Sequence, residues 1–194
     1  MSIVEFKRNV YTGDAEGAIS SIQNISSLDD VWEELGGVTP LMYVASAGLT
    51  SVAQALMKSD VNVKNEAGWT ALHFAANSGH TDIVASLLEN ESSVDTKTFR
   101  GWTPLHFASS WGHTDVAKLL LGAGANANLA EGLGWTALHF ASNEGDKEVV
   151  EMLLDAGVDT CVKTEKGYTA LQLAIDYGHT EVVELLLGSD TAAK

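Results

Sequence analysis

The sequence predicts an all-α repeat protein in which one helix-turn-helix unit stacks on copies of itself. The first observation is a five-residue motif, Gly-x-Thr-(Pro/Ala)-Leu, which occurs five times. The copies begin at Gly37, Gly68, Gly101, Gly134 and Gly167, and the last four follow one another at intervals of 33 residues. The second observation is a further glycine, eleven residues after each motif glycine. A fixed period of this length indicates a unit that buries its apolar face only against neighbouring copies.

The first helix of each unit is predicted to begin at the motif threonine. The hydroxyl of Thr70 suits a helix start, and Pro40 and Pro104 stand at the following position in their copies, where the missing N–H costs nothing. The small apolar residues of one helix face are Leu72, Ala75 and Ala76. A glycine with positive φ is predicted to end the helix. Its copies are Gly13, Gly48, Gly79, Gly112, Gly145 and Gly178.

The second helix is predicted to start near Thr81, with Asp82 in its first turn, where an acid complements the helix dipole. Its apolar positions form a wide stripe that suits a helix packed between neighbours. In this copy they are Ile83, Val84, Leu87 and Leu88. About twelve residues rich in Asn, Asp, Thr and Gly follow, and they are predicted to form an extended turn that projects from the stack.

Residues 101–121, GWTPLHFASSWGHTDVAKLLL, resemble an ankyrin repeat, and the motif covers Gly37 to about Gly188. The resemblance implies an ankyrin-repeat solenoid in which each unit is two antiparallel helices plus a β-hairpin-like finger. It also implies a concave surface for protein partners and no catalysis by the repeats. We expect one domain over 1–194, with capping repeats at 1–35 and 166–194 and full repeats at 36–66, 67–99, 100–132 and 133–165.

The charge and composition of the chain limit the classes of partner and the cellular compartment that we expect. A formal net charge of −15 repels phosphate backbones and anionic lipid headgroups, so neither nucleic acid nor membrane is expected as a partner. The single cysteine, Cys161, cannot form an internal disulfide, which fits a reducing compartment. The first residues lack the long apolar run of a signal peptide. We therefore expect the protein in the cytoplasm, from which it can also enter the nucleus by diffusion.

The densest acidic run, residues 29–34, is expected to be a solvated loop or short helix, and attraction of a basic tail is the alternative. The histidines occupy two repeat positions, and the resemblance implies that those at 73, 106 and 139 tie a helix start to loop backbone. Equivalent positions should lie roughly 8–10 Å apart, too far for shared metal ligation. Cys161 is expected to be a tolerated substitution. With no catalytic motif in the sequence, we expect no metal, no cofactor and no enzyme.

Aromatic residues fill positions that vary in the ankyrin family and face its concave side. Aromatics and arginine at exposed positions are over-represented among binding hot spots. The candidate partner-binding residues are Trp69, Phe99, Arg100, Trp102, Trp111, Leu133, Trp135, Tyr168 and Tyr177. The tryptophans are expected to form a row along the concave face. In the alternative, they pack on each other and on the fingers and stiffen the stack.

The sequence therefore predicts a non-enzymatic protein-binding module, an adaptor, inhibitor or assembly chaperone that is monomeric when free. The acidic rim of the aromatic strip favours a partner with a basic surface. The alternative is a structural or regulatory subunit that is permanently docked in a larger assembly.

Overall fold

The computed structural model describes residues 3–22 and 32–192. It divides into two compact units, Met1–Thr96 (unit 1) and Lys97–Lys194 (unit 2). The division falls close to the predicted repeat boundary between residues 99 and 100. Each unit consists of helix pairs, so the predicted all-α class is confirmed. That the whole chain is one domain stays a prediction.

The described residues of unit 1, 3–22 and 32–96, form three pairs of helices. They are α1 (Ile3–Tyr11) and α2 (Ala15–Ile22), α3 (Pro40–Ala47) and α4 (Thr50–Leu56), and α5 (Ala71–Ser78) and α6 (Thr81–Glu89). The first helices of neighbouring pairs pack side by side, as do the second helices, so that α3 lies between α1 and α5 while α4 lies between α2 and α6. A short 3-10 helix, Glu33–Leu35, precedes α3.

Unit 2 repeats this arrangement with three more pairs. They are α7 (Pro104–Ser110) and α8 (Thr114–Gly122), α9 (Ala137–Glu144) and α10 (Lys147–Asp155), and α11 (Ala170–Asp176) and α12 (Thr180–Ala192). The middle pair is covered on both sides, because α9 packs against α7 and α11 while α10 packs against α8 and α12. The second helices of this unit begin at Thr114, Lys147 and Thr180. In unit 1, α6 begins at Thr81, as the sequence predicts.

The motif threonine starts the first helices in the predicted way. Thr103 is the N-cap of α7, and its backbone N–H donates to Nδ1 of His106 over 2.9 Å. The same bond joins Thr70 to His73 over 3.0 Å. The histidine takes the place that a glutamate or glutamine holds in an ordinary capping box, so two of the free N–H groups of the helix start are satisfied.

The glycine that ends each first helix has positive φ in all six copies, between 64° and 78°. The structure adds a second reason for glycine at two of them. A methyl group at Gly48 would meet the ring of His80 from the next repeat, and one at Gly145 would meet the ring of His179. These imidazoles reach across to the preceding repeat, where the Nε2 of His179 bonds to the carbonyl oxygen of Asn143 over 2.9 Å.

The predicted apolar stripes form the core. Ile83, Val84 and Leu87 are fully buried, and the fourth member of the stripe, Leu88, is half-buried. In the first helix of the same repeat, Leu72 and its small neighbours are also buried. Small side chains at these positions let adjacent helices approach closely, which is why neighbouring helix pairs can pack together within a unit.

The fingers are tight turns, and backbone hydrogen bonds connect neighbouring fingers within a unit. In four of them, the turn is closed by an N–H that donates to the carbonyl oxygen four residues later, as from Glu131 to Trp135 over 2.9 Å. Neighbouring fingers in unit 2 are linked by donation from Gly132 N to Arg100 O and from Glu165 N to Leu133 O. In the described residues the β-structure consists of isolated bridges, such as that between Ala130 and Thr136. The predicted fingers are therefore present as hairpin-like turns.

The acidic run before α3 contains a core residue that the sequence analysis missed. Residues 29–31 lie outside the described residues, and the predicted short helix is present at Glu33–Leu35. Trp32 is only 3% exposed, and its ring packs edge-on against Phe6 and Tyr43. The expectation of a solvated segment is therefore wrong at Trp32, because its indole is large enough to fill the gap between α1 and α3.

Candidate partner-binding groove

The fingers hold one aromatic side chain in the same place in each repeat of unit 2. In each turn, the backbone N–H of the aromatic residue donates to a side-chain oxygen four residues earlier. For Trp135 the acceptor is Oε1 of Glu131, at 3.1 Å, and for Tyr168 it is Oγ1 of Thr164, at 3.2 Å. The glycine before each aromatic residue has positive φ, which closes the turn. The finger therefore fixes the backbone from which each ring projects.

The tryptophans pack on phenylalanines of the first helices. Trp102 lies 4.8 Å from the ring of Phe107 in its own repeat and 4.5 Å from Phe140 in the next, measured between ring centroids. Trp135 lies 5.0 Å from the same Phe140. These distances are typical of favourable aromatic pairs. Both tryptophans are half-buried, so part of each side chain remains exposed.

Unit 2 contains a groove with a cavity volume of about 660 Å³ next to these rings. Five of the nine predicted residues line it, namely Trp102, Leu133, Trp135, Tyr168 and Tyr177. The remaining lining residues are Glu131, Phe140, Glu165, Lys166, Leu173 and Asp176. Leu133 is 59% exposed and Tyr177 is 63% exposed, so the groove presents apolar surface that the fold does not cover.

The other four predicted residues do not line this groove. Phe99 and Arg100 are exposed in the first finger of unit 2, and Trp111 is exposed at the end of α7. Trp69 belongs to unit 1, where its half-buried ring packs on Phe74 at 5.0 Å. The row that would join Trp69 to the tryptophans of unit 2 stays a prediction.

The sequence analysis did not identify Phe140 and Leu173 as groove residues. Phe140 follows the motif histidine, and Phe74 and Phe107 stand at the same repeat position. This recurrence is a signal that could have found it. Leu173 lies on α11, where its side chain is buried at the floor of the groove. Its role depends on which side of α11 faces the fingers, and the motif spacing does not show this.

Acidic side chains dominate the charge of the groove. Glu131, Glu165 and Asp176 line it together with one base, Lys166. Among the residues that the structure describes, none of these carboxylates lies within 4.0 Å of a basic nitrogen. Glu131 is held by a second backbone donor, the N–H of Leu133 at 2.8 Å. The groove is therefore an apolar surface whose lining carries a net negative charge.

The motif histidines tie the helix starts to the fingers, as the family resemblance implies. Nδ1 of His106 accepts from Thr103, while Nε2 donates to the carbonyl oxygen of Leu129 over 2.9 Å. Burial lowers the pKa of His106 to about 4, and it lowers the pKa of His139 as well. Within residues 3–22 and 32–192, no cluster of three or more histidine, cysteine or carboxylate side chains is placed to hold a metal ion.

The chain matches a family model of ankyrin repeats, three copies long, over residues 41–131 and again over 118–194. It is 36% identical over 87 residues to the human Notch-regulated ankyrin repeat-containing protein, which covers 43% of this chain and 76% of that protein. It is 46% identical over 54 residues to the 26S proteasome non-ATPase regulatory subunit 10 of Dictyostelium discoideum, covering 26% of this chain and 23% of the subunit.

A third relative is the mouse protein phosphatase 1 regulatory subunit 12A, with 35% identity over 75 residues, or 38% of this chain and 7% of the subunit. The chain thus spans less than a quarter of the length of the proteasome and phosphatase subunits.

No helix in the described part of the chain is both long and apolar enough to cross a membrane. The family model covers most of the sequence, and the chain therefore belongs to the ankyrin-repeat family of protein–protein interaction modules.

Proposed function

We propose that this chain is a non-enzymatic adaptor, inhibitor or assembly chaperone that binds a partner protein in the groove of unit 2. One observation carries the proposal: Leu133 and Tyr177, both lining the groove, are more than half exposed although their side chains are large and apolar. Exposed apolar surface of this kind, rimmed by polar residues, marks interaction sites on soluble proteins.

The anatomy of the groove supports this role. The groove is lined both by aromatic side chains, including Trp102, Trp135 and Tyr168, and by carboxylates. Protein interfaces commonly combine an apolar centre, rich in Tyr and Trp, with a charged rim. Rings that are already packed, as Trp102 is on Phe140, lose little conformational freedom on binding, which favours affinity. Phe99, Arg100 and Trp111 are proposed as further contacts outside the groove.

The relatives favour one alternative. Two of them are named as regulatory subunits, of the proteasome and of protein phosphatase 1. This chain could likewise be a regulatory subunit that stays docked in an assembly in the cytoplasm or nucleus. An adaptor is expected to be monomeric in isolation, whereas a permanently docked subunit is expected to self-associate when its assembly is absent. Sedimentation velocity of the purified chain distinguishes the two.

The binding proposal is tested by affinity purification with the full chain and its variants. The double variant Leu133→Ala with Tyr177→Ala removes exposed groove surface. The control Tyr11→Ala removes a side chain of unit 1 that has the same size as that of Tyr177 and is 85% exposed. We expect the double variant to lose its captured partner while Tyr11→Ala keeps it. Melting temperatures should match the wild type in both. Equal capture by all three proteins would overturn the proposal.

The tryptophans need a separate measurement, because they also pack in the stack. Trp102→Ala is expected to cost about 2 kcal/mol or more of binding free energy if the ring is a central hot spot. Trp111→Ala, which removes an exposed ring proposed as a contact outside the groove, is measured together with it. If both variants bind normally and Trp102→Ala melts early, the row stiffens the stack and does not bind the partner.

A further inference from the structure

We infer that the partner segment bound in the groove carries an arginine, whose guanidinium lies against the aromatic wall among the carboxylates of Glu131, Glu165 and Asp176. This inference rests on the proposed function, because it names the chemistry of the ligand for the same groove. It commits to an extended, basic segment of a protein and not to a folded surface or an anionic ligand.

The charge of the groove supports a cationic ligand. Three carboxylates face the cavity with a single lysine, and no basic nitrogen in the described residues lies within 4.0 Å of any of the three. The entry of an apolar segment alone would remove water from these carboxylates without giving them an opposite charge, which costs free energy. An acidic or phosphorylated segment would add repulsion. A basic segment supplies the missing charge.

Two of the carboxylates are already held in position. Oε1 of Glu131 accepts from the backbone N–H groups of Leu133 and Trp135, at 2.8 and 3.1 Å. Oδ1 of Asp176 accepts from Nε2 of Gln172 at 2.7 Å. A carboxylate that is fixed before binding loses less conformational freedom when a cation arrives, so the rim is prepared for a charged ligand.

The aromatic wall distinguishes arginine from lysine. A guanidinium is planar, stacks on aromatic rings, and donates to carboxylates in a bidentate fork, whereas an ammonium is a compact, strongly hydrated point charge. The aromatic side chains of Trp102, Trp135 and Tyr168 line the same cavity as the carboxylates. A cation is attracted to the faces of such rings, and most strongly at sites from which water is excluded.

The size of the cavity fits a short segment. Its volume of about 660 Å³ lies within the range of roughly 300–1,000 Å³ that is common for pockets holding drug-sized ligands. Such a volume can accept an arginine side chain together with an apolar neighbour, which would contact Leu133 and Tyr177. The wider face of a folded domain would leave the cavity unfilled.

Selection of random twelve-residue peptides by mRNA display on the immobilised full chain tests the inference. Peptides are counted as groove binders when they are retained by the wild type and lost on the Leu133→Ala, Tyr177→Ala double variant. We expect these peptides to be enriched in arginine next to an apolar residue. Groove binders without enrichment in arginine, or with lysine in equal measure, would overturn the inference and leave the proposed function intact. A selection without groove binders would also overturn it, and affinity purification with the same double variant would then decide the proposed function.

The selected peptide then gives a quantitative test. Replacing its arginine by citrulline keeps the shape and removes the charge, and we expect the affinity to fall about tenfold or more, as for the loss of a hydrogen bond between charged groups. Glu165→Gln should weaken binding of the original peptide several-fold and reduce its salt dependence. Glu184→Gln, which removes the same charge from α12 outside the groove, is the matched control. Equal effects of the two variants, or full affinity of the citrulline peptide, would show that the guanidinium does not lie among these carboxylates.

Discussion

Protonation of His106 is expected to destabilise the fold in mild acid. The imidazole is buried, its Nδ1 accepts from the backbone N–H of Thr103, and its Nε2 donates to the carbonyl of Leu129. A second proton would have to bind at Nδ1, where it would displace the donor from Thr103 and leave a charge without water. Burial is the largest cause of the shift, and it lowers the pKa of His106 from 6.5 to about 4.

The direction and size of the effect follow from this pKa. The unfolded chain binds a proton at His106 below about pH 6.5, while the folded chain resists it until about pH 4, so stability is complete above pH 6.5 and falls between these values. With about 1.4 kcal/mol for each tenfold change in proton affinity, the full loss is about 3 kcal/mol. Between pH 7 and pH 4.5 the expected loss from this group is about 2 kcal/mol. The lowered pKa of His139 acts in the same direction.

Urea unfolding at pH 7, 6, 5 and 4.5 measures the loss, with His106→Gln as the variant. Glutamine stands at this repeat position in the last repeat, as Gln172, so the replacement is one that the fold already accommodates. The variant is expected to be less stable than the wild type at pH 7, and the difference between them should shrink by about 2 kcal/mol at pH 4.5. Parallel stability curves for the two proteins over this pH range would refute the reasoning.

Three further predictions concern the glycines, the N-terminal helices and metal. Gly157→Ala should cost about 1–2 kcal/mol through its positive φ alone, and Gly145→Ala, at the same φ of 76°, should cost at least about 1 kcal/mol more, because its methyl group would meet the ring of His179. Equal losses in urea unfolding would show that this contact is unimportant. Deletion of residues 1–35 should lower the melting temperature and keep the helical circular dichroism of the rest, since it uncovers Tyr43; an unchanged melting temperature would identify a dispensable tail. Zinc or a chelator should leave the melting temperature unchanged, because the motif imidazoles are bonded to backbone; a rise of several degrees at stoichiometric zinc would contradict this.

The fold could be predicted because each repeat carries the same residues at the positions that start, end and bury its helices. These signals can be read from individual residues. A threonine marks a helix start, a glycine with positive φ marks a helix end, and apolar residues at helical spacing mark the buried face. Trp32 escaped prediction because it lies outside the repeated phrase, within an acidic run whose composition indicates solvent. Its burial depends on a gap between α1 and α3 that no repeat position describes.

The candidate site was predictable in part for the same reason. Trp102, Trp135 and Tyr168 hold one repeat position, so their shared location in the groove follows from the period. Exposure at that position could not be predicted, since it depends on how closely Phe140 approaches the rings. Trp111 is exposed as expected, but it stands at the C-terminal end of α7 and is not among the residues that line the groove.

Site-specific photo-crosslinking tests the central claim most directly, because it captures a bound protein whatever the identity of that protein. A benzophenone amino acid replaces Tyr177, at the edge of the groove, or Tyr11, which is more exposed and lies in unit 1. In cells that produce the protein, irradiation should attach a partner at position 177, and adding Leu133→Ala should abolish the product. A partner that attaches at position 11 and not at position 177 would contradict the account and place the binding surface outside the groove.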